Sequence, residues 1–286
     1  MFKKFLKIQF FKFTLERFPN IFRPSSKPFV SGDTFRKLSD FIFDEATTFR
    51  PSQVKENSIV FLNPDLIDIY FHIQHEKINN NYYIITHNSH QEIGDYIEKY
   101  LDEKIIHWFA LNLDIKNAKT TLIPMGLENL RRLRYGRIKW FKNAKNDKSK
   151  MIISSFDKTK NFDERSLIQE KLNESVLIDF ITYSNYRVYF KNLPKYKFII
   201  CPQGKGYDTT RIWESLLLNV YPIFKENKFT LNLKELGIPA IYLKNWDDLN
   251  KLSKEELNRI YLELENKSYT DINNYRYWKN YLKNLN

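Results

Sequence analysis

Short, largely apolar runs of β type recur along the chain, separated by amphipathic stretches long enough to form a helix, and this limits the fold more than any other feature. "SIVFL" (58–62), "YYIITH" (82–87), "IIHWFAL" (105–111) and "TTLIPM" (120–125) occupy the first half. "MIISSF" (151–156), "SVLIDFIT" (175–182), "KFIIC" (197–201), "YPIF" (221–224) and "AIYL" (240–243) occupy the second. Four to eight apolar residues without alternation mark a strand buried on both faces, and helices between such strands imply parallel α/β units. Helices are expected over "SHQEIGDYIEKYLDE" (89–103), with Ser89 as cap, and near 162–172, 185–192 and 209–219.

Between the halves, "LRRLRYGRIKWFKNAKNDKSK" (130–150) carries nine basic residues and one acid, the pattern of a solvated connection. The expected fold is α/β, two Rossmann-like doubly wound domains. The division is a basic aromatic segment (1–24), an N-terminal domain (25–130), a basic linker (131–150), a C-terminal domain (151–268) and a closing helix (269–286) that docks across the linker.

A formal charge of +12 points to an anionic partner: nucleic acid, anionic lipid or nucleotide phosphate. The single cysteine, Cys201, excludes an internal disulfide framework and a cysteine-rich zinc site, so the expected compartment is reducing and cytoplasmic. No apolar run is long enough to span a membrane. In "MFKKFLKIQFFKFTLERFPNIFR", Lys3, Lys4 and Lys7 fall on one side of a helical wheel, with Phe2, Phe5, Leu6, Phe10 and Phe13 broadly opposite. Two readings are open: a helix lying on an anionic membrane surface, which would make the protein peripheral, or one packed on its own domain.

The chain has only seven glycines, and two of them, Gly204 and Gly206, lie in "KFIICPQGKGYDTTRIWESLLLNVYPIF" (197–224). Ligands bind at the carboxyl ends of strands in such sheets, where this loop sits. Its glycines permit close backbone approach. Asp208, Thr209 or Thr210 can cap the following helix, whose first amides attract an oxygen ligand. Arg211 can hold a diphosphate, and Glu214, three residues on, can accept the hydroxyls of a ribose. Alternatively Arg211 and Glu214 pair with each other on a helix face. The spacing matches neither the dinucleotide fingerprint nor the P-loop.

This stretch resembles the "sPrGnGlDt.RtwEaLllG.iPIv" segment of exostosin-like glycosyltransferases and related bacterial and viral sugar transferases. "FVSGDTFRKLSDFIFDE" (29–45), "ITHNSHQEI" (85–93), "WFALN" (108–112) and "IPMGLEN" (123–129) are similar to further pieces of that group. The resemblance implies a GT-B fold, with two Rossmann-like domains facing across a cleft. The C-terminal domain would hold a nucleotide sugar through Arg211, Glu214 and the backbone from Gly204 through Lys205, Gly206 and Asp208 to Thr209 and Thr210. "SSFDKTKNFDERSLI" resembles the first strand, loop and helix of that domain, with Arg165 as a second phosphate ligand. Gln203, Lys205 and Asn219 replace an expected Arg, Asn and Gly, so a further cationic contact from the loop would have to come from Lys205.

Inverting transfer needs a base near the acceptor hydroxyl and stabilisation of the departing diphosphate. The base is expected from the N-terminal domain: Asp33 in "SGDTF", or His87 or His90 in "THNSH", with Asp33 favoured because it fits the family-like segment. The competing role for Asp33 is N-cap of a helix over "TFRKLSDFIF". The i, i+3 pairs His72/His75 and His87/His90 lack a third ligand, and Asp247 and Asp248 are expected to cap a helix, so no metal site and no cofactor are expected. The expected function is metal-independent, inverting transfer of a sugar from a nucleotide-diphosphate donor to a lipid-linked or surface-polysaccharide acceptor. The alternatives are nucleic-acid binding through the basic surface and transfer of a sugar- or polyol-phosphate on the same fold. No nucleic-acid module is recognisable, and the aromatic residues fall largely within apolar runs.

Overall fold

The computed structural model describes residues 23–132, 136–142, 147–183, 185–267 and 271–285. The basic segment before residue 23, with its surface-helix reading, lies outside them. Two five-stranded, all-parallel sheets form the two halves. The first contains β1 (Phe41–Phe43), β2 (Ser58–Leu62), β3 (Tyr82–Thr86), β4 (Ile105–Ala110) and β5 (Thr120–Leu122), ordered β1-β2-β3-β4-β5. The second contains β6 (Lys150–Ser154), β7 (Ile178–Phe180), β8 (Tyr196–Ile200), β9 (Tyr221–Lys225) and β10 (Ile241–Leu243), ordered β10-β9-β8-β6-β7. Every residue of β2 and β3 is buried, as continuous apolar runs require. In the second sheet the order reverses between β6 and β8, which opens a crevice between the loops that leave those two strands.

Two local expectations are corrected. The helix expected over 89–103 is reduced to a 3-10 turn, Asp95–Tyr100. Ile93 bridges Leu113 in parallel, donating its N–H to Asn112 O (3.0 Å) and accepting from Asp114 N–H (2.9 Å), so strand-like pairing takes the amides a helix would use. Ser89 caps nothing there: its hydroxyl donates to Asp65 Oδ1 (2.5 Å) and accepts from Gln91 N–H (3.1 Å). The helix expected over 34–43 spans Gly32–Leu38, with Ser31 rather than Asp33 at the N-cap position. Its expected last turn becomes β1, because Phe41–Phe43 pair with Val60–Leu62.

The basic stretch between the domains is not wholly solvated. A short helix, Lys139–Lys142, sets the buried Phe141 against Phe29 of the first domain (6.1 Å between ring centres) and Phe190 of the second (5.2 Å). Trp140 stacks on Phe190 (4.8 Å). The closing helix, Tyr275–Lys283, returns to the first domain. Trp278 packs edge-on to Phe35 (5.5 Å) and Phe109 (6.3 Å) and donates Nε1–H to Ile272 O (2.6 Å). The chain leading into this helix pairs with the chain leading into Gly32: Val30 N–H donates to Asn273 O (2.9 Å) and Tyr275 N–H to Pro28 O (2.8 Å). Truncation of Trp278 therefore opens a cavity in the N-terminal core. Trp278→Ala is expected to cost about 3–5 kcal/mol in urea unfolding, and a loss below about 1 kcal/mol would contradict this docking.

Candidate functional site

At the crevice between the β6 and β8 loops, two arginines from different helices meet. Arg211 stands in the first turn of the helix Thr210–Leu216 and donates Nη2–H to Ser155 O (2.9 Å), just beyond β6. Arg165, on the helix Phe162–Leu172, donates Nε–H to Gln203 O (3.0 Å) and Nη1–H to Asp157 O (2.5 Å). Burial, then the like charge of Arg211, pushes the Arg165 guanidinium down to about 10. Glu164 accepts Gln203 N–H (3.0 Å), so neighbouring residues of one helix hold the loop from both sides.

Beside these cations, four buried polar atoms have no hydrogen-bond partner: Tyr189 Oη, Thr209 Oγ1, Arg211 Nε and Glu214 Oε1. Buried polar groups are nearly always satisfied, so a cluster of this kind beside two cations suits bound water or a polar ligand. Arg211 and Glu214 make no hydrogen bond to each other among the described contacts, and Glu214 is buried rather than on an exposed helix face. Burial raises the Glu214 carboxyl to about 8, against the pull of Arg211 and with a further push from Glu128. At neutral pH it therefore holds its proton and can donate as well as accept. Tyr189 was not identifiable from sequence: it sits in an ordinary aromatic run, and only the packing of the helix Tyr186–Asn192 brings it to Arg211 and Glu214.

The two glycines have different neighbours. At Gly204 a Cβ would lie 3.2 Å from Thr209 Cγ2 in the loop itself and 3.5 Å from Arg165 Nη2 of the same domain. At Gly206 it would lie 2.7 Å from Asn112 Nδ2 and 2.8 Å from His90 O, so this glycine lets the loop rest on the opposite domain. Asp208 completes the seam. Its carboxylate accepts Met125 N–H (2.7 Å) and Trp213 Nε1–H (2.8 Å), and its own N–H donates to Asn112 Oδ1 (2.8 Å). Burial raises Asp208 to about 7, opposed by those hydrogen bonds. Of the three cap candidates, Thr209 occupies the N-cap position without a side-chain cap bond, and Thr210 faces the cleft. Lys205 is exposed, and its charge falls on His90 across the cleft. Asn219, where the resemblance expects glycine, has φ 52, a left-handed conformation that asparagine tolerates.

Facing this loop is a cavity of about 480 Å³, lined mainly by the carboxyl edge of the first domain together with Thr210. The four family-like segments converge around it. Asp33 lies beneath its wall, fully buried, ion-paired to Arg23 Nη1 (2.7 Å) and Arg131 Nε (3.2 Å). His87 lines the wall stacked on Phe35 (5.6 Å), accepting Asn88 N–H at Nδ1 (2.7 Å) and donating Nε2–H to Pro124 O (3.2 Å). Burial holds His87 down at about 4, so it is neutral at pH 7. Any side chain at Gly32 would strike this turn, since a Cβ would fall 1.8 Å from Asn88 Oδ1. Glu128, paired with Arg132 (3.2 Å), and Asn129, which donates to Asn88 Oδ1 (2.8 Å), also line the cavity. Their only sequence signal was membership of "IPMGLEN".

Among the described residues no three His, Cys, Asp or Glu side chains converge as metal ligands would. His75 is instead bonded to Tyr82 (2.7 Å) and Asp102 (2.8 Å), and Asp248 accepts Asn245 N–H (2.9 Å) at a helix start.

No family model and no curated protein matches the chain. Among solved structures it is similar to the OtsA apo structure, at 10% identity over 81% of this chain and 73% of that one, with a TM-score of 0.48. It is also similar to trehalose-6-phosphate from E. coli bound with UDP-2-fluoro glucose (10% identity, 81% and 74% covered, TM-score 0.49) and to TarM (14%, 80% and 54%, 0.48). Likeness of this degree leaves the chemistry to be argued from the side chains.

The raised Glu214 carboxyl gives a signed pH dependence. The folded chain keeps a proton there that the unfolded chain loses above the ordinary carboxyl range. The group's contribution to stability therefore falls as pH rises from about 4.5 to about 8, then levels off. Glu214→Gln should remove that fall, gaining on wild type by a few kcal/mol between pH 5 and pH 8 in urea unfolding, on the order of the linkage value. Parallel curves for the two proteins would contradict the assignment.

Proposed function

We propose that the protein is a glycosyltransferase that moves a sugar from a nucleoside-diphosphate donor to an acceptor hydroxyl in the facing cavity. The observation that carries this reading is the cluster of partnerless buried atoms, Tyr189 Oη, Thr209 Oγ1, Arg211 Nε and Glu214 Oε1, beside two guanidinium groups at the strand-order reversal. Arg211 and Arg165 take the diphosphate charge, and the protonated Glu214 and Tyr189 offer hydrogen bonds suited to ribose hydroxyls. The sugar then projects toward the cavity formed by the opposite domain.

Cleavage of the bond between sugar and diphosphate leaves negative charge on the departing oxygen. Fixed guanidinium groups beside buried polar atoms stabilise that charge because they need not reorganise. We take transfer to proceed with inversion and without a divalent ion, the protein's own cations doing that work. The cavity, in which polar side chains are mixed with Leu111, Met125 and Leu127, suits a sugar unit, as a glycan or lipid-linked acceptor would present at a cytoplasmic membrane face. No helix among the described residues is long and apolar enough to cross a membrane.

A thermal-shift and calorimetric panel of UDP, GDP, CDP and their sugar conjugates tests the reading. One nucleotide family should raise the midpoint through binding linkage, equally with and without EDTA, and Arg211→Ala should weaken that binding by at least about tenfold. A flat response to the whole panel, or full affinity in Arg211→Ala, would contradict it.

A further inference from the structure

We propose that His90 is the base that removes the acceptor hydroxyl proton, a role that rests on the transferase reading above. Each of the other titratable side chains at the cavity wall that could accept a proton is held by a hydrogen bond or ion pair to the protein. His87 has both ring nitrogens bonded within the domain, at 2.7 and 3.2 Å. Asp33, behind the wall, is fully buried between Arg23 and Arg131. Glu128 accepts Asn129 N–H (3.2 Å) and pairs with Arg132 through the same oxygen, Oε1, and Asp65 accepts the Ser89 hydroxyl at Oδ1 (2.5 Å), so each carboxylate is tied to the wall at one oxygen. His90 lines the same cavity, is exposed to it, and its ring makes no hydrogen bond among the described contacts.

Its position is fixed by the backbone rather than by ring contacts. The carbonyl of His90 lies against Gly206, where a Cβ would come within 2.8 Å, so the ring is carried on the segment that touches the donor loop. Thr210, at the start of the donor helix, lines the same cavity. The proposed base is therefore held in register with the donor by direct contact between the domains. A base on a chain packed only within its own domain would move relative to the donor with every domain displacement.

The charges around the ring come from four different segments. Lys205 follows β8, Lys160 follows β6, Arg132 follows the cavity wall, and Asp65 follows β2; the first three oppose a proton on the ring and the last favours it. Partial loss of hydration beside the cavity wall, then Lys205, holds the solvent-reachable His90 below its ordinary value, leaving it neutral and able to accept a proton at neutral pH. In the step itself, the acceptor O–H gives its proton to a ring nitrogen of His90 while its oxygen bonds to the anomeric carbon. The bond from that carbon to the diphosphate oxygen breaks, and its electron pair leaves with the nucleoside diphosphate between Arg211 and Arg165. The imidazolium then returns its proton to solvent.

The test uses the full chain and the UDP-, GDP- or CDP-sugar it binds most tightly, with water as acceptor and free sugar as the readout. His90→Gln should lower turnover by about 100-fold or more while nucleotide affinity stays within about twofold of wild type. The wild-type rate should rise with pH along a limb that lies below the ordinary imidazole value. That limb should move to higher pH in Lys205→Ala and disappear in His90→Gln. NMR titration of the His90 ring supplies a readout independent of turnover: its midpoint should lie below the ordinary value and rise in Lys205→Ala. Undiminished turnover in His90→Gln, a persisting acidic limb, or a ring midpoint above the ordinary value would overturn the role of His90 with donor binding intact. Failure of wild type to bind any nucleotide would overturn the transferase reading and His90 with it.

Discussion

Asp208 binds the two halves of the protein at the point where the site is built. Its carboxylate takes an amide from Met125 on one domain and the indole N–H of Trp213 on the other, while its own amide donates to Asn112. A carboxyl removed from water this far is expensive, and hydrogen bonds from both domains offset part of that cost. Separation of the domains would strand that group. The loop from Gln203 to Thr209 is therefore at once a wall of the crevice and the seam that holds the cleft together.

That dual use explains the composition of the loop. Gly206 is bare because His90 O and Asn112 crowd it, and Gln203 reaches Glu92 across the cleft (3.2 Å) where the resemblance expects a cation. In the proposed site the cations are Arg165 and Arg211, which approach from separate helices and are held by backbone carbonyls rather than carboxylates. Guanidinium groups tied to carbonyls keep their charge uncompensated, the state in which an incoming diphosphate gains most from them. Loop position and cation position are coupled, since Arg165 bonds to Gln203 O and Glu164 to Gln203 N–H.

The sheets were legible in the sequence because strands buried largely on both faces are written as mostly apolar runs, and each of the nine runs read as strands contains one. β1 was not read, since "FIF" looks like the last turn of a helix until Val60–Leu62 lie beside it. The helix expected from Ser89 failed for the related reason that Ile93 is drawn into pairing with Leu113. At the candidate site, the shared helix of Arg211 and Glu214 was legible because their spacing is local. Tyr189, Glu128 and the relation of Lys205 to His90 were not, because each depends on segments far apart in sequence meeting at the cleft. Gly204 and Gly206 were visible as constrained positions, but the neighbour constraining Gly206 proved to be the other domain.

The central claim is that a nucleoside diphosphate lies between the loops that follow β6 and β8. The most direct measurement is a crystal structure of the full chain soaked with the diphosphate that stabilises it best. The account predicts diphosphate oxygens within hydrogen-bond reach of Arg211, with the ribose against Glu214 and Tyr189. A nucleotide bound elsewhere, with Arg211 and Glu214 untouched, would contradict it.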